Sequence, residues 1–160
     1  LNTPDIIVFE PRFTEQVKAL LASVLQFLDL PAVSEIKRSP CDAPHDDSDL
    51  DRIMEIYTQR SRFWLAVADN AIVGMVAIEE VDATVALLRR LFVAPTYHGA
   101  GVGVLLLDTA LAFAQTQGYE TVTLDTHIGM KRAHAFYEKH DFRLTAEDVR
   151  QRHYTLSLVS

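Results

Sequence analysis

Cysteine occurs once in the 160 residues, at Cys41. No disulfide can form within the chain, and a thiolate metal site has no second ligand. A basic excess is missing too: 15 lysines and arginines stand against 22 aspartates and glutamates, a formal charge of −7 with a pI near 5.3. Phosphate-rich partners need a basic face, so nucleic acid is excluded as the main partner. No apolar run reaches the length that crosses a bilayer, and the first residues lack a basic stretch followed by an apolar one. No membrane role is expected, and cytoplasm is the default compartment. His127, His134, His140 and His153 fall without metal-ligand spacing, so no metal is expected.

What is present is ordinary globular material, 49% hydrophobic and 23% charged. The length fits one domain over residues 1–160, with a real core and no repeat or linker, as a monomer or homodimer. A short apolar run, Ile6 to Phe9, reads as a first strand. Val17, Leu20, Leu21, Val24, Leu25 and Leu28 form a helical stripe, with Thr14 as its cap and Pro31 as its end. Ala32 to Asp47 reads as a loop, followed by a helix from Ser48 to Gln59 carrying Leu50, Ile53, Met54 and Tyr57. Three strands follow, Phe63–Ala68, Ile72–Val81 and Thr84–Val93, turning at Asp69-Asn70 and Asp82-Ala83. A helix Val104–Gln117, a strand Tyr119–Thr126, a helix Met130–His140 and strands Phe142–Ala146 and Tyr154–Val159 complete the chain. A meander feeding a strand–helix–strand unit gives an α+β fold with a mixed, mostly antiparallel sheet of six or seven strands.

Glycine is scarce, six in all, yet three fall in His98-Gly99-Ala100-Gly101-Val102-Gly103, between a buried strand and the long helix. A helix start offers unpaired N–H groups and partial positive charge, and glycine lets an anion approach the backbone. The reading is a diphosphate-bearing ligand held by main chain.

Downstream, Thr121-Val122-Thr123-Leu124-Asp125-Thr126 precedes Ala133-His134-Ala135-Phe136-Tyr137-Glu138-Lys139-His140-Asp141-Phe142. With the glycine loop, this order resembles the Gcn5-related N-acetyltransferase (GNAT) superfamily from Ile72 to about Leu144. His98 stands where the family has Arg or Gln, Met130 where it often has Asn, and Asp141 where it has Gly. The last is tolerable, because Asp visits the left-handed conformation that ends many helices.

The resemblance implies the acyl-CoA N-acyltransferase fold and acetyl-CoA as co-substrate, with a primary amine of a small molecule or peptide as acceptor. It implies that Leu91, Phe92 and Val93 pair with the pantetheine arm, that His98, Gly99, Ala100, Gly101, Val102 and Gly103 cradle the pyrophosphate, and that Ala133 and Phe136 flank the cofactor. One N–H at that strand end would also contact the thioester carbonyl. Tyr137 is the expected general acid, since a phenol is protonated at neutral pH. Leu87 occupies the position where many relatives carry a glutamate base, leaving Glu79, Glu80 and Asp125 as nearby carboxylates, with Glu79 and Glu80 the named candidates. Arg89 and Arg90 read as surface strand residues or as holders of an acidic substrate group. Asp42, Asp46, Asp47, Asp49 and Asp51 read as a solvated loop and helix start, or as a lid that attracts an amine.

Two alternatives stay open. Gly99-Ala100-Gly101-Val102-Gly103 before a helix, with Asp125 ending the next strand, loosely copies a dinucleotide fingerprint and would suit a nicotinamide-dependent oxidoreductase. The spacing of the third glycine and the preceding meander speak against it. A non-catalytic acyl-CoA sensor of the same fold is favoured by Leu87 and disfavoured by Tyr137.

Overall fold

Runs of β-branched and aromatic residues become strands wherever one or both of their faces can be buried. A computed structural model describes residues 3–28 and 50–159. The expectations for Pro31, the loop from Ala32 to Asp47 with Cys41 and its acids, Asp49, and a helix start at Ser48 lie outside those residues. The strands are β1 (Asp5–Val8), β2 (Arg62–Ala68), β3 (Ala71–Glu80), β4 (Val85–Val93), β5 (Thr121–His127), β6 (Arg143–Glu147) and β7 (Gln151–Ser157). They form one seven-stranded sheet ordered β1-β2-β3-β4-β5-β7-β6. Every neighbouring pair is antiparallel except β4–β5. This is the mixed α+β architecture expected. Asp69 and Asn70 both take left-handed φ values, 52° and 63°, which suits the tight β2–β3 hairpin.

The helices are α1 (Thr14–Phe27), α2 (Ile53–Ile56), α3 (Val102–Thr116) and α4 (Lys131–Lys139). Two expectations need correction. Thr14 is not a cap: a 3₁₀ turn, Pro11–Phe13, precedes the helix, and the Thr14 hydroxyl donates back to the Pro11 carbonyl at 2.8 Å. The helix around Leu50 to Tyr57 is a single α turn, Ile53–Ile56; Leu50, Ile53 and Tyr57 are buried as the stripe implied, but Met54 is exposed.

Each face of the sheet has its own core. On one, α3 and α4 cover Trp64, Val76, Ile78, Leu88, Val122, Leu124 and Tyr154. On the other, α1 and α2 cover Phe63, Leu65, Met75 and Ala77. Gly74 brings α3 close to β3, since a Cβ there would lie 2.8 Å from a Leu106 methyl and 3.2 Å from the Phe92 carbonyl.

Two irregularities in β4 shape the site. Met75 faces Phe92 but Ala77 faces Arg89, so β4 spends one more residue than β3 over that interval. The extra residue is a β-bulge, with Arg90 in the left-handed region at φ 59°. The bulge resets the alternation, so that Leu91 and Val93 point to the α3 face and Phe92 to the α1 face. Second, β4 and β5 pair only at Val85–Thr121, Ala86–Val122 and Leu87–Thr123. Beyond Leu87 the two parallel strands splay, leaving an open seam in the sheet.

Candidate active site

The seam opens into a cleft of about 630 Å³. Leu91, Phe92 and Val93 wall one side, the loop and helix start His98, Gly99, Gly101, Val102, Gly103 and Val104 form the floor, and Met130 to Ala133, Phe136, Tyr137 and Lys139 close the other side. Of the residues named from sequence, Ala100 alone among the expected cofactor contacts does not line it.

The loop conformation explains the glycines. Gly99 and Gly101 have φ of +81° and +83°, and a Cβ at either would meet no atom within 4 Å, so each points its bare side into open space. Gly103 is conformationally ordinary; a built Cβ would lie 3.5–3.6 Å from carbons of the Phe136 ring, an ordinary contact, so this position packs against α4 without requiring glycine. The first helical bond of α3 runs from Leu105 N–H to the Gly101 carbonyl at 3.2 Å, so the amides of Val102, Gly103 and Val104 precede the ladder. His98 is already engaged: its Nε2 bonds the Val93 carbonyl at 3.2 Å, and Phe27 packs edge-on against its ring. Burial, with the nearby charge of Arg132, holds its pKa below the usual imidazole range.

On the opposite wall, α4 begins at Lys131 without a side-chain cap from Met130. It ends with Asp141 at φ 71°, the left-handed conformation expected of that position. The Tyr137 ring is buried among Phe136, Phe142 and Tyr154. Burial pushes its hydroxyl well above the usual phenol range. Lys131, Arg132 and Lys139 add cationic charge along the same wall.

Across the sheet, on the α1 face, polar residues flank the seam. Glu79 is the cross-strand partner of Leu87, and its carboxylate accepts from Arg89 at 3.3 Å, both side chains largely buried. On β5 the same face carries Asp125, whose carboxylate contacts His153 Nδ1 from β7. His153 Nε2 lies 4.0 Å from Asp148 in the β6–β7 turn. Glu80 is turned the other way and pairs with Arg60 at 2.6 Å. Neither Glu79 nor Glu80 lines the cleft.

A profile of the acetyltransferase (GNAT) family matches residues 30–142. The chain belongs to that family. This GNAT chain is 31% identical to human N-acetyltransferase 8 over 138 residues, covering 80% of the chain and 61% of that protein. It is 40% identical to rat N-acetylaspartate synthetase over 85 residues, covering 52% of the chain and 28% of that protein. The chain thus spans less than two thirds of the length of these curated relatives. Among solved structures, an acetyltransferase of Staphylococcus aureus superposes with a TM-score of 0.83 at 22% identity, covering 98% and 99% of the two chains. The PaiA N-acetyltransferase of Thermoplasma acidophilum, solved in complex with coenzyme A, gives 0.74 at 16%, again covering 98% and 99%. At those identities the likeness is one of fold.

In the GNAT frame, sequence reasoning gathered the cleft's two motif-bearing walls and missed two groups. The cations of α4 were visible as Lys131, Arg132 and Lys139 but carried no pattern distinguishing them from a solvated helix face. The Asp125–His153 contact joins residues 28 apart in sequence through sheet register, and no local signal marks it. Arg89, read as a surface strand residue or a substrate holder, is largely buried against Glu79 instead of lying on the surface. Among the described residues no group of His, Cys, Asp and Glu is arranged to hold a metal, and no helix is long and apolar enough to cross a membrane.

Proposed function

We propose that residues 1–160 form one N-acetyltransferase domain that moves an acetyl group from acetyl-CoA to a primary amine of a small molecule or peptide. The observation that carries the reading is the seam between β4 and β5, floored by two left-handed glycines and a helix start, with a buried tyrosine on its far wall. The residues fit the cofactor. Bare glycine positions face open space beside amides that precede the α3 ladder, as a pyrophosphate requires. Leu91, Val93, Ala133 and Phe136 offer an apolar passage for the pantetheine arm, and Lys131, Arg132 and Lys139 supply charge for further phosphate. The backbone of Leu91 to Val93, freed from β5, has groups to spare for an extended amide-bearing chain.

The amine attacks the thioester carbonyl, whose developing oxyanion is held by a strand N–H at the seam. A C–N bond forms, the C–S bond breaks, the sulfur takes a proton from the Tyr137 hydroxyl, and the proton shed by the new amide nitrogen returns through solvent to the Tyr137 oxygen. Burial keeps that hydroxyl protonated at working pH. Glu79 and Glu80 are each paired with an arginine, which argues against either as base.

The acceptor panel begins with L-aspartate, because relatives are named for N-acetylaspartate synthesis. It extends to spermidine and a lysine-containing peptide. Calorimetric titration with acetyl-CoA and with NAD, then thiol release across the panel, tests the reading. Saturable acetyl-CoA binding with amine-dependent thiol release is expected. Binding without turnover on any nucleophile would favour an acyl-CoA sensor, a reading that Leu87 supports. Absence of acetyl-CoA binding would overturn the proposal.

A further inference from the structure

We infer that His153, oriented by Asp125, takes the proton from the acceptor amine on the α1 face of the seam. The inference rests on the transferase reading and supplies the base that Leu87 lacks.

Sheet register places the pair. Leu87 and Thr123 are the last residues joined across β4 and β5. Two residues further on, and therefore on the same face, stand Arg89 on β4 and Asp125 on β5, one on each side of the opening. His153 is the direct partner of Asp125 on β7, so its ring lies on that face as well. Tyr154 and Leu156 alternate with it and pack toward α4, on the side of Tyr137. Tyr137 thus lines the cleft on the α4 face, and His153 lies on the α1 face one strand back from the seam, across β5. A nucleophile arriving from one face and a leaving thiolate on the other would each find a proton partner.

The chemistry of the contact is that of a positioned imidazole. Asp125, largely buried, accepts from Nδ1 and so leaves Nε2 as the proton acceptor. Other groups face the ring as follows. From the β6–β7 turn Asp148 lies 4.0 Å from Nε2, too far for a hydrogen bond but placed to attract an ammonium ion. Asp148 itself is fixed by accepting backbone N–H bonds from Arg150 and Gln151, which hold its carboxyl below the usual carboxylate range. Arg150 adds an opposing charge to Asp148, and β6 presents the uncharged Ala146 opposite His153. In the step, the ammonium gives its proton to Nε2, the neutral amine attacks the thioester carbon, and the imidazolium releases the proton to solvent after the thiol leaves.

The test compares nucleophiles that do and do not need a base. Hydroxylamine is neutral at neutral pH, whereas spermidine and the α-amine of L-aspartate are protonated. His153→Gln is expected to lower kcat/KM for the panel amines by at least ~10-fold at neutral pH. The deficit should shrink in alkaline buffer, where the amine deprotonates unaided, while hydroxylamine transfer and acetyl-CoA affinity stay within about twofold. Asp125→Asn should move the same pH profile in the same direction to a smaller extent, as a positioning residue does. Wild-type amine rates in His153→Gln, equal losses for both nucleophiles, or a wild-type enzyme that acetylates hydroxylamine but none of the amines would each overturn the inference. Failure of wild-type protein to transfer to any nucleophile would instead overturn the transferase reading.

Discussion

At Gly101 two demands coincide: a left-handed backbone at φ +83° and a bare face toward the cleft. Left-handed geometry alone costs a residue with a side chain about 1–2 kcal/mol, and in the proposed cradle the side chain would also stand in the path of the phosphate. Gly101→Val should therefore weaken acetyl-CoA binding by at least ~10-fold in calorimetry. His98→Ala should change it by less than about threefold, because that imidazole already serves the Val93 carbonyl. Equal losses would show that the cradle is not main-chain. Tyr137→Phe keeps the ring among its aromatic neighbours and removes one proton. It should lower kcat at least ~10-fold and leave acetyl-CoA affinity nearly intact, whereas a tyrosine that only packs would leave the rate unchanged. That Gly101 and Tyr137 line one cleft was legible in the sequence because each belongs to a short local motif. His153 was not, since its meaning depends on a strand partner that no neighbouring residue announces.

Among the elements, β4 shapes the cleft most through its departures from regularity. The bulge at Arg90 decides which side chains face the cleft. Deleting Arg90 would remove the extra residue and return Leu91 and Val93 to the α1 face, so acetyl-CoA binding should be lost. Arg90→Gly, which suits the left-handed conformation and keeps the count, should retain binding despite the lost buried side chain. Circular dichroism on both variants separates misfolding from re-facing, and normal binding by a folded deletion variant would refute the role of the bulge. The pattern of apolar runs bounded by turn residues made the meander strands readable to within a residue or two. It could not reveal the bulge, because Arg89 and Arg90 look alike in sequence and only pairing with β3 shows where the count slips. The short α2 was over-read for a related reason: Leu50, Ile53 and Tyr57 are buried as a helical stripe would be, yet one helical turn and its flanks bury them equally well.

Across the whole molecule, pH stability should follow two histidines. His98 and His134 are held below the usual imidazole range chiefly by burial. The unfolded chain binds protons at these sites near pH ~6.5, before the folded protein does. Their contribution to stability is therefore complete above ~6.5 and is lost as pH falls through the depressed folded values. The melting temperature should decline below pH ~6.5, and His134→Gln, which can keep a donor toward the His127 carbonyl, should flatten that decline. An unchanged slope in the variant would remove His134 from the account. The seam has a consequence at this scale as well. An ordinary sheet has two edges, and this one has β1 and β6; splaying β4 from β5 creates two more, inside the sheet. Exposed strand edges invite pairing with other chains and hence aggregation. These internal edges converge at Leu87 and Thr123, so they offer backbone only over the few residues beyond that point, a shorter template than either outer edge.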